Sequence, residues 1–313
     1  MWKDIIGHAG PIEILKSYIE SGKIPHALLF AGQKGIGKSS VAHEYFKAIN
    51  CLNTPGDGCG MCASCLKADS RSHPDLVWLT STIQWIKVED VRSIQKDTSL
   101  RPFEARFRVV IIEPAELLNE ASSNALLKTL EEPPDKTLFV LISHKPNLLL
   151  PTIVSRCQMI RFNPIEVQHF TDTPIDPFVV KLTSGAIGSL VNYNEAQILE
   201  IRAVIVEICK GADALHLVSK IIPASGEAKE VVPVLLAVIE SVIRDIMVLL
   251  HGGNNVINED LKDIPLKHVK YDLIEKILEC THSIRRGVGE NINLKVALSD
   301  LFILLGNLSV GQS

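Results

Sequence analysis

The chain has 313 residues, of which 46% are hydrophobic, 22% charged and 5% aromatic, with a formal net charge of −4 and seven cysteines. At about 100–200 residues per domain this length gives two or three domains with buried cores, which excludes a disordered chain, a collagen repeat and a small disulfide scaffold. The slight acidity excludes a surface that is basic throughout, so any contact with nucleic acid is local or shared with other chains.

Met1-Trp2-Lys3-Asp4 leads into a mixed polar segment, without the basic start and apolar core of a secretory leader, and a cytoplasmic chain is expected. Next comes a helix with Pro11 in its first turn and Ile12, Leu15 and Ile19 on one face. Apolar runs at 27–31, 76–79, 109–112 and 138–142 read as buried strands, with helical patterns at 88–100 and 116–132 between them. Strands alternating with helices predict an α/β fold with a parallel sheet over residues 1–163. Pro164, Pro174 and Pro177 then punctuate a short helical region, expected as a small lid-like domain at 164–196. From 197 to 313 the periodicity is helical only, at 196–210, 212–222, 229–250, 270–286 and 294–308, which predicts an all-α domain. The most apolar stretch, 231–250, carries Pro233, Glu240, Arg244 and Asp245 and reads as a buried helix, not a membrane span. Glu240 and Arg244 stand four apart in the order that favours a surface ion pair.

Gly32-Gln33-Lys34-Gly35-Ile36-Gly37-Lys38-Ser39 fits G-x-x-x-x-G-K-[ST] and lies after an apolar strand and before a helix, as a phosphate loop requires. Gly32, Gly35 and Gly37 let backbone N–H groups curl around a phosphate, Lys38 supplies charge to the outer phosphates, and Ser39 offers a ligand for Mg²⁺. Hydrolysis needs more: an acid at a second strand end to hold the metal, and a group to orient water. The strand at 109–112 is followed by Glu113-Pro114-Ala115-Glu116. Glu113 can take the metal role, while Pro114 has nothing with which to orient water. The plainer reading makes Glu113 and Glu116 an acid pair at a helix N-terminus.

Cys51, Cys59, Cys62 and Cys65 form C-x7-C-x2-C-x2-C among Gly56, Gly58 and Gly60. Four thiolates at this spacing can close tetrahedrally around Zn²⁺, and with all four positions filled by protein a structural role is expected, the plainer reading being free thiols in a loop. An odd cysteine count in a cytoplasmic chain disfavours a disulfide framework. Cys209 and Cys280 lie in apolar helical patterns and read as small core residues; Cys157 stands alone.

Together with Ile24-Pro25-His26-Ala27-Leu28-Leu29-Phe30, His73-Pro74-Asp75, Arg101-Pro102-Phe103-Glu104, the segment from Asn124 to Pro134 and Ser155-Arg156-Cys157, these residues resemble the AAA+ clamp-loader subunits, and among them the delta-prime branch of bacterial DNA polymerase III. Over the helical half the resemblance is carried by Asn293 to Leu298. It implies a hetero-pentameric ring with gamma/tau motor subunits and a delta subunit, acting on a sliding clamp and primer-template DNA. Motor subunits bind ATP at interfaces completed by a neighbour's arginine. Arg156, in the Ser-Arg-Cys position, is implied to be that finger; its other reading is a cation settling a helix C-terminus. Motor subunits carry Asp-Glu where this chain has Glu113-Pro114, and an arginine in the lid helix where it has Gly188-Ser189-Leu190-Val191. The resemblance therefore implies a stator that helps load the clamp without turning over ATP itself, the alternative being an active gamma/tau-type motor; whether the loop holds ATP stays open. Lys128 lies on a helix that lines the central chamber in this family.

Overall fold

Strands buried on both faces need unbroken apolar runs, and the runs found above supply four of the five strands. The structure, a computed structural model, describes residues 1–81, 85–98, 101–171, 173–190, 194–214, 228–263, 269–287 and 294–308. Strands β1 (Ala27–Ala31), β2 (Leu76–Thr80), β3 (Arg108–Glu113), β4 (Thr137–Ser143) and β5 (Gln158–Arg161) form one sheet in the order β2-β3-β4-β1-β5. All four pairings are parallel, Leu28 lying opposite both Val140 and Gln158. Strand β5 is absent from the sequence expectation. It is a four-residue edge strand in which Gln158 and Arg161 are exposed and Ile160 is buried, so it carries no apolar run to detect.

Alternate residues feed two cores. Leu28, Phe30, Val109, Ile111 and Val140 face helices α1 (Ala9–Ser21) and α2 (Lys38–Asn50), meeting Leu15, Tyr45 and Phe46. Leu29, Val110, Ile112, Phe139 and Leu141 face the other side, meeting Val91 and Ile94 of α4 (Val88–Thr98), Leu126 and Leu130 of α5 (Glu120–Glu131) and Ile153 of α6 (Pro151–Val154). A short helix α3 (Ala63–Asp69) starts directly after Cys62 and carries Cys65 in its first turn. Helix α5 begins at Glu120, capped by the Asn119 side chain, which accepts from the Ser122 N–H. This corrects the pattern read from 116. Glu116 belongs to a separate 3₁₀ turn, Ala115–Leu117, and Glu113 ends β3, so the two acids do not pair at a helix N-terminus.

The chain divides into two compact units, residues 1–172 with 184–189, and residues 173–183 with 190–313. The segment 164–196 is thus shared between them. Among the described residues of the second unit every regular element is helical: α7 (Pro177–Leu182), a 3₁₀ turn Glu259–Asp263, α8 (Glu195–Cys209), α9 (Ala228–Leu250), α10 (Tyr271–Gly287) and α11 (Leu294–Gly306). Their apolar stripes close one core that includes Ile205, Leu235, Ile239, Ile277, Leu301 and Phe302, with Cys209 inside it and Cys280 packed at its margin. The helix expected at 212–222 falls largely on 215–222, outside the described residues, as do Val191 and Asn293. Asp245, fully buried in α9, accepts from the Ile257 and Asn258 N–H groups at 2.8 and 2.6 Å. No helix among the described residues is long and apolar enough to cross a membrane. The expected Glu240–Arg244 pair does not form: Glu240 takes Arg285 of α10 at 2.8 Å and Arg244 takes Asp245 at 2.9 Å. Glu240 has a tertiary partner that the helical spacing could not reveal, and Arg244 turns to the residue next to it in the chain.

Candidate nucleotide and metal sites

A parallel sheet presents its site at the carboxyl ends of its strands, where loops meet helix N-termini. Here the loop after β1 turns into α2 through Gly37, whose φ of +95° is one that a side chain disfavours. Lys38, 5% exposed, donates to the carbonyl oxygens of Gly32 and Gln33 at 2.7 and 2.6 Å, and so curls the loop onto its own ammonium. Burial lowers its pKa, and the charges of Glu113 and Glu116 oppose that shift. Ser39 Oγ donates to Glu113, at 2.6 Å from Oε1 and 2.7 Å from Oε2. The sheet register therefore brings the predicted pair of Mg²⁺ ligands, 74 residues apart, into contact. Gly188 also packs on this loop, its N–H donating to the Gly35 carbonyl at 2.9 Å. A Cβ at 188 would lie 2.7 Å from that oxygen, so glycine is required for the approach.

Pro114 follows Glu113 as a half-buried turn residue. Sequence reasoning missed what stands behind it. Glu116 is buried, its Oε1 lies 2.5 Å from His144 Nδ1 just beyond β4, and its Oε2 has no hydrogen-bond partner. Burial lowers the His144 pKa, opposed by Glu116 and reinforced by Lys38, Lys145 and Lys34.

The four cysteine sulfurs lie within 4.8 Å of one another. Cys51 Sγ and Cys62 Sγ are 3.9 Å apart, against an edge of about 3.8 Å for a tetrahedron with Zn–S bonds near 2.3 Å. Backbone N–H groups point at the sulfurs: Thr54 and Cys59 at Cys51 (3.3 and 3.4 Å), Met61 and Cys62 at Cys59 (3.4 and 3.2 Å), and Cys65 at Cys62 (3.5 Å). Burial raises the Cys51 thiol, but the hydrogen bonds from Thr54 and Cys59 outweigh it and bring the pKa to about 6. Burial and the neighbouring thiols push Cys65 up to about 12. Four sulfurs this close cannot all be thiolates without a cation among them, so the donor set fits a tetrathiolate metal.

His73-Pro74-Asp75 ties this module to the sheet. His73 Nδ1 accepts from the Asp75 N–H at 3.1 Å, which leaves Nε2 protonated and 3.3 Å from Ser64 Oγ of α3. Asp75, fully buried, accepts from the N–H groups of Phe103, Glu104 and Ala105 at 2.8, 2.8 and 2.9 Å and from Arg108 at 3.0 Å. Burial raises its pKa, but these bonds outweigh that and hold the carboxyl below the usual range. Both residues hold structure in place, and Phe103 projects from the held loop with 80% of its surface exposed.

Arg156, two residues past α6, donates from NH1 to the Thr152 carbonyl at 3.0 Å and from NH2 to Glu131 Oε1 at 2.6 Å. Lys128 is exposed on α5.

The profile of the family described as "DNA polymerase III, delta subunit" matches residues 7–166, just over half of the chain. The chain belongs to this family of AAA+ clamp-loader proteins. It is 33% identical over 190 residues to DNA polymerase III subunit delta' of Bacillus subtilis, covering 61% of this chain and 57% of that protein. To DNA polymerase III subunit tau/gamma of Haemophilus influenzae it is 33% identical over 199 residues, 60% of this chain and 29% of that protein. To the tau subunit of Bacillus subtilis it is 31% identical over 260 residues, 81% of this chain and 44% of that one. The matches thus span between under a third and just over half of these relatives' own lengths. A gamma-subunit-related protein of Thermotoga maritima shares the fold at a TM-score of 0.55 and 17% identity, over 95% of this chain and 99% of that one. Clamp-loader relatives of both the delta' and the tau/gamma kind are therefore similar to this chain, and the five-stranded parallel α/β sheet is the AAA+ P-loop fold.

Proposed function

We propose that the chain is the delta-prime, stator subunit of a DNA polymerase III clamp loader. In this reading residues 1–163 are the AAA+ domain with its zinc module, 164–196 the lid and 197–313 a helical collar that joins a cytoplasmic hetero-pentamer. Its partners are gamma/tau motor subunits, a delta subunit, the sliding clamp and, through the complex, primer-template DNA. The observation that carries the reading is the end of β3: Glu113 is placed against Ser39, and the next residue is Pro114, so the strand end offers no acid to orient water. ATP bound at the loop would be held by the backbone N–H groups of 32–37 and by Lys38. A bound Mg²⁺ would neutralise phosphate charge, and Ser39 with Glu113 would hold it. Cys51, Cys59, Cys62 and Cys65 would hold a structural Zn²⁺ that fixes the fold of 51–65. Arg156 would place its guanidinium against the γ-phosphate of ATP on the neighbouring motor subunit, neutralising charge that grows as the phosphoryl group departs.

One observation favours an active motor: Glu116 is a buried acid with a free Oε2, within electrostatic reach of Lys38. Hydrolysis of ATP by the purified chain separates the two. The stator reading expects no turnover above background and no change in Glu116→Gln; robust turnover lost in that variant would establish the motor. For the finger, Arg156→Ala is expected to assemble normally with the partners and to lower DNA-stimulated ATP hydrolysis by the complex.

A further inference from the structure

The Arg156 backbone is held by its own local hydrogen bonds, and its side chain by two contacts of different kinds. Ser155, Arg156 and Cys157 donate their N–H groups to the carbonyls of Pro151, Ile153 and Val154 at 2.9, 3.0 and 3.2 Å, and Cys157 packs on the core. An arginine side chain has several rotatable bonds, so something must choose its direction. The Thr152 contact satisfies a carbonyl at the end of α6. The Glu131 contact has no such explanation. Glu131 is the last residue of α5, where the helix carbonyls already carry partial negative charge and a carboxylate is the disfavoured sign. With side chains 35% and 50% exposed, the pair also contributes little to stability. The carboxylate therefore acts on Arg156 more than on its own helix.

We propose that Glu131 is a positioning residue for the Arg156 guanidinium, presetting it to meet an anionic phosphate oxygen offered by a neighbouring subunit; this rests on the finger reading above. One carboxylate oxygen meets one guanidinium nitrogen, so the pair is not a closed bidentate fork. Among the described residues the Nε–H makes no hydrogen bond, and that edge is available to a second anion. A phosphate of higher charge outcompetes a single exposed carboxylate, so Glu131 orients the arginine without sequestering it.

The test is ATP hydrolysis, with primed DNA and clamp, by the complex reconstituted from this chain and the motor and delta subunits of the same organism. Glu131→Ala is expected to lower kcat about tenfold at unchanged KM, a fraction of the roughly 10³–10⁵ that an arginine finger supplies. Glu131→Gln, which keeps an accepting oxygen at the same reach, is expected to restore most of it, and Glu131→Ala added to Arg156→Ala is expected to cost nothing more. Wild-type kcat in Glu131→Ala beside a defective Arg156→Ala overturns this proposal and leaves the finger standing. Wild-type kcat in Arg156→Ala overturns the finger itself. Loss of assembly in Glu131→Ala, or a defect that persists in the Arg156→Ala background, gives Glu131 a structural role and overturns the proposal.

Discussion

Asp75 shows how one buried charge can organise a loop far from it in sequence. A carboxylate taken out of water is tolerated only when its lone pairs are filled, and here three backbone N–H groups and the Arg108 guanidinium fill them. Asp75→Asn is expected to destabilise the protein by about 3 kcal/mol, because it removes the carboxylate charge that faces the buried Arg108 guanidinium. Since the folded pKa lies below the unfolded value, the unfolded chain binds more protons in the window between them. The contribution of Asp75 is therefore complete above about pH 4 and is lost as pH falls through the folded pKa. Urea unfolding from pH 2 to 6 checks this: wild type should lose stability on acidification more steeply than Asp75→Asn in that window. At the same scale the phosphate loop was legible in the sequence because its chemistry is local. Lys38 bonds carbonyls five and six residues away, and Lys38→Ala is expected to weaken ATP-analogue binding by about 10–100-fold in a titration. Glu116, Glu131 and Asp75 were not legible as interacting residues, since their partners lie 28, 25 and up to 33 residues distant.

Elements differ in what holds them. The sheet rests on its buried side chains and four parallel pairings, while the segment 51–62 is irregular backbone between α2 and α3, closed by N–H···S bonds and by four sulfurs, the last from Cys65 in α3. In the zinc reading proposed above, the knuckle owes its fold to the metal. A strong chelator is expected to release one zinc per chain and to speed amide exchange across 51–69. Exchange in β1, β3 and β4 should stay slow, which hydrogen-exchange mass spectrometry resolves by peptide. Unchanged exchange in 51–69 after zinc loss would show that the bonds to sulfur suffice. The cysteine quartet could be read because short spacing forces the sulfurs together. Strand β5 could not, because an edge strand is stabilised by its neighbour's backbone, here β1, and demands little of its own side chains.

For the whole molecule, a net charge of −4 sets the long-range field. Phosphate contacts give DNA affinity in proportion to the cations that make them, and an exposed Lys128 alone adds little. The isolated chain is expected to bind primed DNA more weakly than about 10⁻⁴ M at physiological salt, with affinity emerging in the assembled ring; fluorescence anisotropy across a salt series measures both. Tight, steeply salt-dependent binding by the single chain would place a cationic surface on it that the charge does not suggest. The alternation of apolar runs with helical stripes was enough to give the parallel α/β fold and the helical second unit, because burial of side chains is written at periods of 2 and 3.6. The glycines, Lys38, Ser39 and the cysteines were legible for the same reason of short range. Which other distant residues meet was not: Glu116 with His144, Arg156 with Glu131 and Glu240 with Arg285 depend on register and helix packing. Those pairings arise when buried surfaces interlock, and no pattern along the chain encodes them.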